Sequence, residues 1–187
     1  MAKLILIKHA PPQVDAGVPS HEWRLSPAGR DKATALAERL RAHAPTIVFT
    51  SNEPKAIETA QIVADALAVR HEISPGLHEH DRSNVPQMPT REFISSVALF
   101  FKCPNELVLG RETAAQARQR VTGAIDWIVT QNGARDIAIV THGTVLALYA
   151  APLVKADPFI LWRQLGLPSF LILQTPEMRV IERVDNV

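Results

Sequence analysis

Short apolar runs recur along the chain, and most are followed by a segment with helical spacing. Leu4-Ile5-Leu6-Ile7 reads as a buried strand. Ser26-Pro27 then reads as an N-cap and first helical position, because proline loses no hydrogen bond there and its φ already suits a helix. Beyond it, Ala33, Leu36, Ala37 and Leu40 fall on one face at the 3.6-residue period. Thr46-Ile47-Val48-Phe49 reads as the next strand and leads into a helix carrying Ile57, Ala60, Ala64 and Leu67. Residues 69–73 suggest a third short strand. Pro75, Gly76, Pro86 and Pro89 mark residues 75–90 as a loop. Helical patterns return at 90–101 and 112–130. Ile137-Ala138-Ile139-Val140 is the cleanest buried strand, Phe170-Leu171-Ile172-Leu173 is another, and a last one is centred on Val180-Ile181.

Strands that are apolar throughout are buried on both faces. With helices between them they predict an α/β three-layer sandwich, a mostly parallel central sheet with helices on both faces. The length favours one domain spanning residues 1–187. In such sheets ligands bind beyond the carboxyl ends of the strands. The residues there are Lys8-His9, Thr50-Ser51 and Thr141-His142-Gly143.

Composition narrows the partners. Hydrophobic residues make up 47% and charged residues 21%, the balance of a soluble globular protein. A net charge of +1 gives no broad footprint for nucleic acid or an anionic membrane, so neither is expected as a partner. An anion must therefore be held by a local cluster. The single cysteine, Cys103, excludes an internal disulfide. The apolar stretch at residues 4–7 is too short for a signal peptide, and no apolar run approaches the roughly 18 residues of a membrane span. A cytoplasmic location is the expectation. The oligomeric state is left open, a homodimer being one option.

His9 and His142 each follow an apolar strand directly, Lys8 precedes the first, and Ser51 and Lys55 open the helix after another. At one end of a parallel sheet these residues converge into a small cationic pocket, with the N-terminal ends of the helices after Ser51 and Gly143 adding to it. A phosphate dianion is the natural guest, and an imidazole there can attack phosphorus. Each residue alone has a plainer reading: a strand-end histidine is usually structural, a lysine a solvated charge, Glu79 a loop carboxylate. The joint arrangement points to chemistry. There is no HExxH and no closely spaced Cys/His set. The run His78-Glu79-His80-Asp81 could bind a metal, but adjacent polar residues in a loop are its plainer reading. No metal or cofactor is expected.

These residues resemble the histidine phosphatase, or phosphoglycerate-mutase-like, superfamily. Leu6-Ile7-Lys8-His9-Ala10 is similar to the family's strand ending in Arg-His-Gly. Leu25-Ser26-Pro27-Ala28-Gly29-Arg30 is similar to its helix-opening segment. The run from Thr50-Ser51 through Lys55-Ala56 to Thr59-Ala60 resembles Ser-Ser-x-x-x-Arg-Ala-x-x-Thr-Ala. Leu77-His78-Glu79 resembles Leu-x-Glu, and Val140-Thr141-His142-Gly143 the second histidine motif. Leu165-Gly166-Leu167-Pro168-Ser169-Phe170 is familiar from bacterial members. The matches run in family order over nearly the whole chain.

The resemblance implies a phosphoglycerate-mutase-like fold and a metal-independent phosphatase acting on a small phosphorylated substrate. It assigns His9 as the nucleophile and His142 as a group that binds the phosphoryl and stabilises the transition state. Lys8 and Lys55 stand where the family has arginines, and Gly143 completes the phosphate-binding set. Glu79 is the proton donor, with Asp81 in reserve; the role needs a raised carboxyl pKa, and a phosphate dianion beside it would push that way. The chain departs from the family in three places. Both arginines are lysines, which keep the charge and lose the planar fork. Ala10-Pro11-Pro12 replaces a glycine and small polar residues, and Asp15 falls near a phosphate-contacting asparagine. These departures motivate one alternative, a weak or inactive member that binds a phosphorylated ligand. A mutase-type phosphotransferase is the other, and the short chain argues against it.

Overall fold

The computed structural model describes residues 2–187. One sheet contains β1 (Ala2–Lys8), β2 (Ile47–Thr50), β3 (Arg70–Ile73), β4 (Ile137–Thr141), β5 (Ser169–Thr175) and β6 (Arg179–Val184), in the order β3-β2-β4-β1-β5-β6. The four strands from β3 to β1 run parallel, and β5 and β6 continue the sheet antiparallel. The α-helices are α1 (Pro27–Leu40), α2 (Pro54–Leu67), α3 (Thr90–Lys102), α4 (Ala114–Asn132), α5 (Gly143–Ala150) and α6 (Pro158–Gln164).

Successive side chains on a strand point to opposite faces. Ile5 and Ile7 therefore join Val48, Val140 and Ile172 in a core with Leu36, Leu40, Ala60 and Val63 of α1 and α2. Leu4 and Leu6 join Phe49, Ile139 and Leu171 in a second core with Phe100, Val121, Ile125 and Leu161 of α3, α4 and α6. Each fully buried aliphatic side chain contributes about 1.5–3 kcal/mol, so the unbroken apolar runs are what two covered faces require.

The caps follow the sequence. Ser26 Oγ accepts the Gly29 N–H at 3.0 Å at the start of α1, and Thr113 and Gln116 form a capping box on α4. The sequence reading leaves α6 without an assignment, although its Asp157-Pro158 start repeats the Ser26-Pro27 pattern. Asp157 Oδ1 accepts the N–H groups of Phe159 and Ile160 at 2.9 and 3.0 Å. No helix among the described residues is long and apolar enough to cross a membrane.

The sheet order positions the chemistry. β1 and β4 are parallel neighbours with Lys8 opposite Thr141, and β2 flanks β4 with Thr50 opposite Val140. The carboxyl ends of all three strands thus meet at one edge. The His9 N–H donates to Thr141 O at 3.1 Å, continuing the ladder one step past the strand.

Candidate active site

A cavity of about 400 Å³ opens at that edge, lined among others by Lys8, His9, Glu53, Lys55, Glu79 and Gly143. His9 is buried, and its Nδ1 donates to Ala10 O at 2.7 Å. That bond fixes the tautomer and leaves Nε2 with a lone pair. Burial, then the neighbouring His142 and Lys55, keeps His9 well below the ordinary imidazole range, so it is neutral at pH 7. The His142 ring stands 5.1 Å from that of His9, and its Nε2 lies 2.6 Å from Ser51 Oγ. Burial, then Lys55, holds His142 below the usual range as well.

Both lysines are anchored by backbone carbonyls. Lys8 Nζ donates to Leu165 O at 2.7 Å, and burial lowers it to about 8 despite the opposing effect of Glu79. Its side chain crosses the start of α5, where a Cβ on Gly143 would come 3.0 Å from Lys8 Cε. The lack of a side chain at Gly143 is thus what lets Lys8 lie there. Lys55 Nζ donates to Ser20 O at 2.7 Å and also to Glu53 Oε2.

Glu79 is nearly enclosed, and its carboxylate meets the N-terminus of α5. Oε2 accepts the Thr144 N–H at 3.1 Å, Oε1 accepts that of Val145 at 3.3 Å, and Arg82 lies 3.8 Å away. Burial pushes this carboxyl up, but Arg82, His142 and the N–H groups of His80 and Thr144 outweigh it and hold it well below the usual carboxylate range. The protein's own groups therefore do not supply the raised pKa that a proton donor needs. The two helix N-termini expected to face the anion are also occupied. Glu79 takes the α5 amides, and the Lys55 N–H donates to Trp23 O at 3.0 Å.

The rest of the 78–81 run diverges. His80 packs against Phe100 with ring centroids 4.1 Å apart and donates from Nε2 to Glu112 O at 3.2 Å. Asp81 also lines the cavity, but its Oδ1 is engaged locally, accepting from Ser83 Oγ at 2.7 Å. Among the described residues no group of three or more His, Cys, Asp or Glu is arranged to hold a metal ion. Asp15 also points away, its Oδ1 accepting the Gly17 N–H at 2.8 Å.

A sequence model for the histidine phosphatase superfamily, branch 1, matches residues 4–180. The chain belongs to this superfamily. No curated protein matches it. Among solved structures, histidine phosphatase folds align over almost its full length. A mycobacterial glucosyl-3-phosphoglycerate phosphatase is 18% identical with a TM-score of 0.78, covering 100% of this chain and 99% of the other. The phosphoserine phosphatase of Entamoeba histolytica, in complex with 3-phosphoglyceric acid, is 18% identical with a TM-score of 0.77, covering 98% and 97%. YhfR of Bacillus stearothermophilus is 23% identical with a TM-score of 0.78, covering 100% and 98%.

Two further residues of this histidine phosphatase superfamily member escape the sequence reading. Glu53 lines the cavity, buried, where the motif leaves an unspecified position. Arg120 of α4 donates from Nη1 to Gly76 O and His78 O, each at 2.9 Å, and pairs with Glu112. It ties down the loop that carries Glu79. Nothing local to Arg120 in the sequence marks it, since its targets lie about forty residues away on backbone carbonyls.

Proposed function

We propose that this protein hydrolyses phosphate monoesters through a phosphohistidine on His9, without metal or cofactor. The observation that carries the reading is the His9 tautomer. With Nδ1–H held by Ala10 O, Nε2 presents its lone pair to a cavity that also contains Lys8, Lys55 and Glu79. A neutral imidazole so placed is a competent nucleophile.

In the first step His9 Nε2 forms a bond to phosphorus and the bond to the ester oxygen breaks. Lys8 and Lys55 offset the charge on the phosphoryl oxygens, with His142 behind them. The departing alkoxide takes a proton from Glu79. Glu79 gains that proton when the substrate dianion arrives, because like charge raises a carboxyl pKa. In the second step water attacks phosphorus, gives its proton to the Glu79 carboxylate, and the bond to His9 breaks to release inorganic phosphate.

The leaving group faces Trp23, Arg82 and Phe93. These residues also line an adjoining cavity of about 730 Å³ formed by residues 14–20 and 82–90. Arg82 stacks 5.0 Å over the Phe93 ring, so this wall combines apolar surface with one cation.

The test is labelling with a phosphorylated substrate. Wild type should carry acid-labile, base-stable phosphate on His9 and turn over in EDTA. Normal turnover by His9→Ala would end the proposal. Binding of phosphate esters with no turnover at all would favour a non-catalytic phosphoryl binder, a reading that the carboxylate of Glu53 on Lys55 already gives some ground.

A further inference from the structure

The outer cavity of about 730 Å³ has the size of a small-molecule pocket and shares Trp23, Arg82 and Phe93 with the inner one. Both loops that form it present apolar side chains. Val14 and Val18 come from the first, Val85 and Met88 from the second, and Trp23 and Phe93 lie where the two cavities meet. None of the six is buried, and Val14 is 61% exposed. Apolar surface left open to water beside a catalytic cavity marks a place where something binds. The polar end of Trp23 is already spent, since Nε1 donates to Asp15 O at 3.1 Å and to Val18 O at 2.9 Å. The indole therefore braces the first loop and offers the cavity only apolar ring surface. We propose that the substrate is the phosphate monoester of an uncharged, largely apolar alcohol, whose apolar part fills the outer cavity. The inference rests on reading the inner cavity as the phosphoryl site and specifies what the ester carries.

The charges of the two cavities disfavour a second anionic group on the substrate. Among the residues lining the outer cavity, Arg82 alone is ionisable. It is already shared, with Glu79 Oε2 3.8 Å away and the Phe93 centroid 5.0 Å from its guanidinium. Drawing it to a substrate carboxylate would take the counter-charge from the buried Glu79. In the inner cavity Lys8 and Lys55 serve the phosphoryl group, while Glu53, Glu79 and Asp81 put three carboxylates around the same space. Glu53 is itself held by Lys55 and by the Glu79 N–H at 2.7 Å. Burial keeps His78 and His80 below the ordinary imidazole range, and His21 lies 3.5 Å from Glu22 Oε1. No unshared cation is left among the lining residues. A carboxylate on the leaving group would therefore meet apolar surface and like charge together.

Primary alkyl phosphates test this, because their leaving alcohols are almost equally basic and make the same demand on Glu79. The measurement is kcat/KM for ethyl, butyl and hexyl phosphate, and for the hexyl ester with a carboxylate at its far end. Each added methylene should raise kcat/KM by roughly two- to fourfold, fourfold being the factor for burying a CH₂ completely. The terminal carboxylate should lower it at least about tenfold below the hexyl ester, the scale of leaving one charge unpaired beside a partly buried site. Met88→Ser should shrink the hexyl-to-ethyl ratio. Val14→Lys, at an exposed position, should narrow the gap between the carboxylate and hexyl esters. Both readouts are ratios, so partial loss of folded protein leaves them unchanged. A flat chain-length series, or faster turnover of the carboxylate ester than of the hexyl ester, overturns the inference and leaves the phosphatase standing. A rising series that neither variant alters overturns the outer cavity as the place where the chain binds. Hydrolysis of no ester in the series overturns the phosphatase reading, and the inference with it.

Discussion

The His9 and His142 rings meet edge to face, 5.1 Å between centroids with their planes at 60°. Only His9 has its Nδ1 tied to a backbone carbonyl, while His142 is held through Nε2 by Ser51. The two imidazoles are therefore prepared for different tasks. His9→Ala should abolish phosphoenzyme formation. His142→Ala should leave labelling detectable but slow it by roughly 100- to 1,000-fold, the range for losing one preorganised contact to a transition state. Rapid-quench labelling of both variants checks the division.

The carbonyls of Leu165 and Ser20 fix where the Lys8 and Lys55 ammonium groups sit. Replacing Lys8 or Lys55 by Met should cost about 2–4 kcal/mol of transition-state stabilisation. Arginine at both positions should lower activity as well, roughly 10- to 100-fold below wild type, because the longer fork displaces the phosphoryl group. Lys8 already fills the space over Gly143, and a Cβ there would press on Lys8 Cε at 3.0 Å. Gly143→Ala should accordingly raise KM. Steady-state kinetics on one ester across the variants tests the set, and faster turnover by the double arginine variant would contradict it.

The Lys8 pKa gives a pH dependence with a definite sign. Burial lowers this ammonium to about 8 in the free enzyme, so it is protonated below that pH and neutral above it. Since only the charged form attracts the phosphoryl group, kcat/KM should fall as pH rises through about 8. Lys8→Met should start low and lose that alkaline limb. An unchanged limb in the variant assigns it to another group.

Glu79→Gln should slow alkyl phosphate hydrolysis roughly 100-fold or more, and p-nitrophenyl phosphate far less, since that leaving group needs no proton. With the aryl ester, a burst followed by a slow steady state is expected, because water still lacks its base. Asp81→Asn should be nearly silent, as the Asp81 carboxylate is held by the Ser83 N–H and Oγ. A large alkyl-specific loss in Asp81→Asn instead would transfer the acid role.

Arg120 binds the carbonyls of Gly76 and His78 and pairs with Glu112. Arg120→Met leaves those acceptors without this donor and takes the counter-charge from Glu112, a mostly buried carboxylate that keeps the Asp81 N–H. Stability should drop by about 2 kcal/mol or more. The loop bearing Glu79 should loosen, so kcat for alkyl esters should fall as well. Denaturant unfolding alongside kinetics separates the two effects.

The strands, most helices and the pairing of His9 with His142 were legible because apolar runs and strand-end positions are local features. Glu53 and Arg120 were not, because their roles arise from contacts between distant segments. The Glu79 carboxyl shows the same limit. Its position follows from the motif, but its depressed pKa depends on Arg82, His142 and the amides of α5, whose approach no spacing reveals. Helix α6 is a different case. Asp157-Pro158 is a start signal of the kind read at Ser26-Pro27, and its brevity hid the periodicity.

β1 and β4 lie side by side in the interior of the sheet, with β3 and β6 at its margins. Proteins open from margins and loops first and from central strands last. Amide hydrogen exchange should therefore be slowest at Leu6, Ile7, Ile139 and Val140, immediately before the two histidines. The surface around Arg82 and Ser83 should exchange orders of magnitude faster. Heat or denaturant would then erode the discrimination between esters before it disturbs the nucleophile, and a partly loosened protein would still become phosphorylated while losing its preference for what it is phosphorylated by.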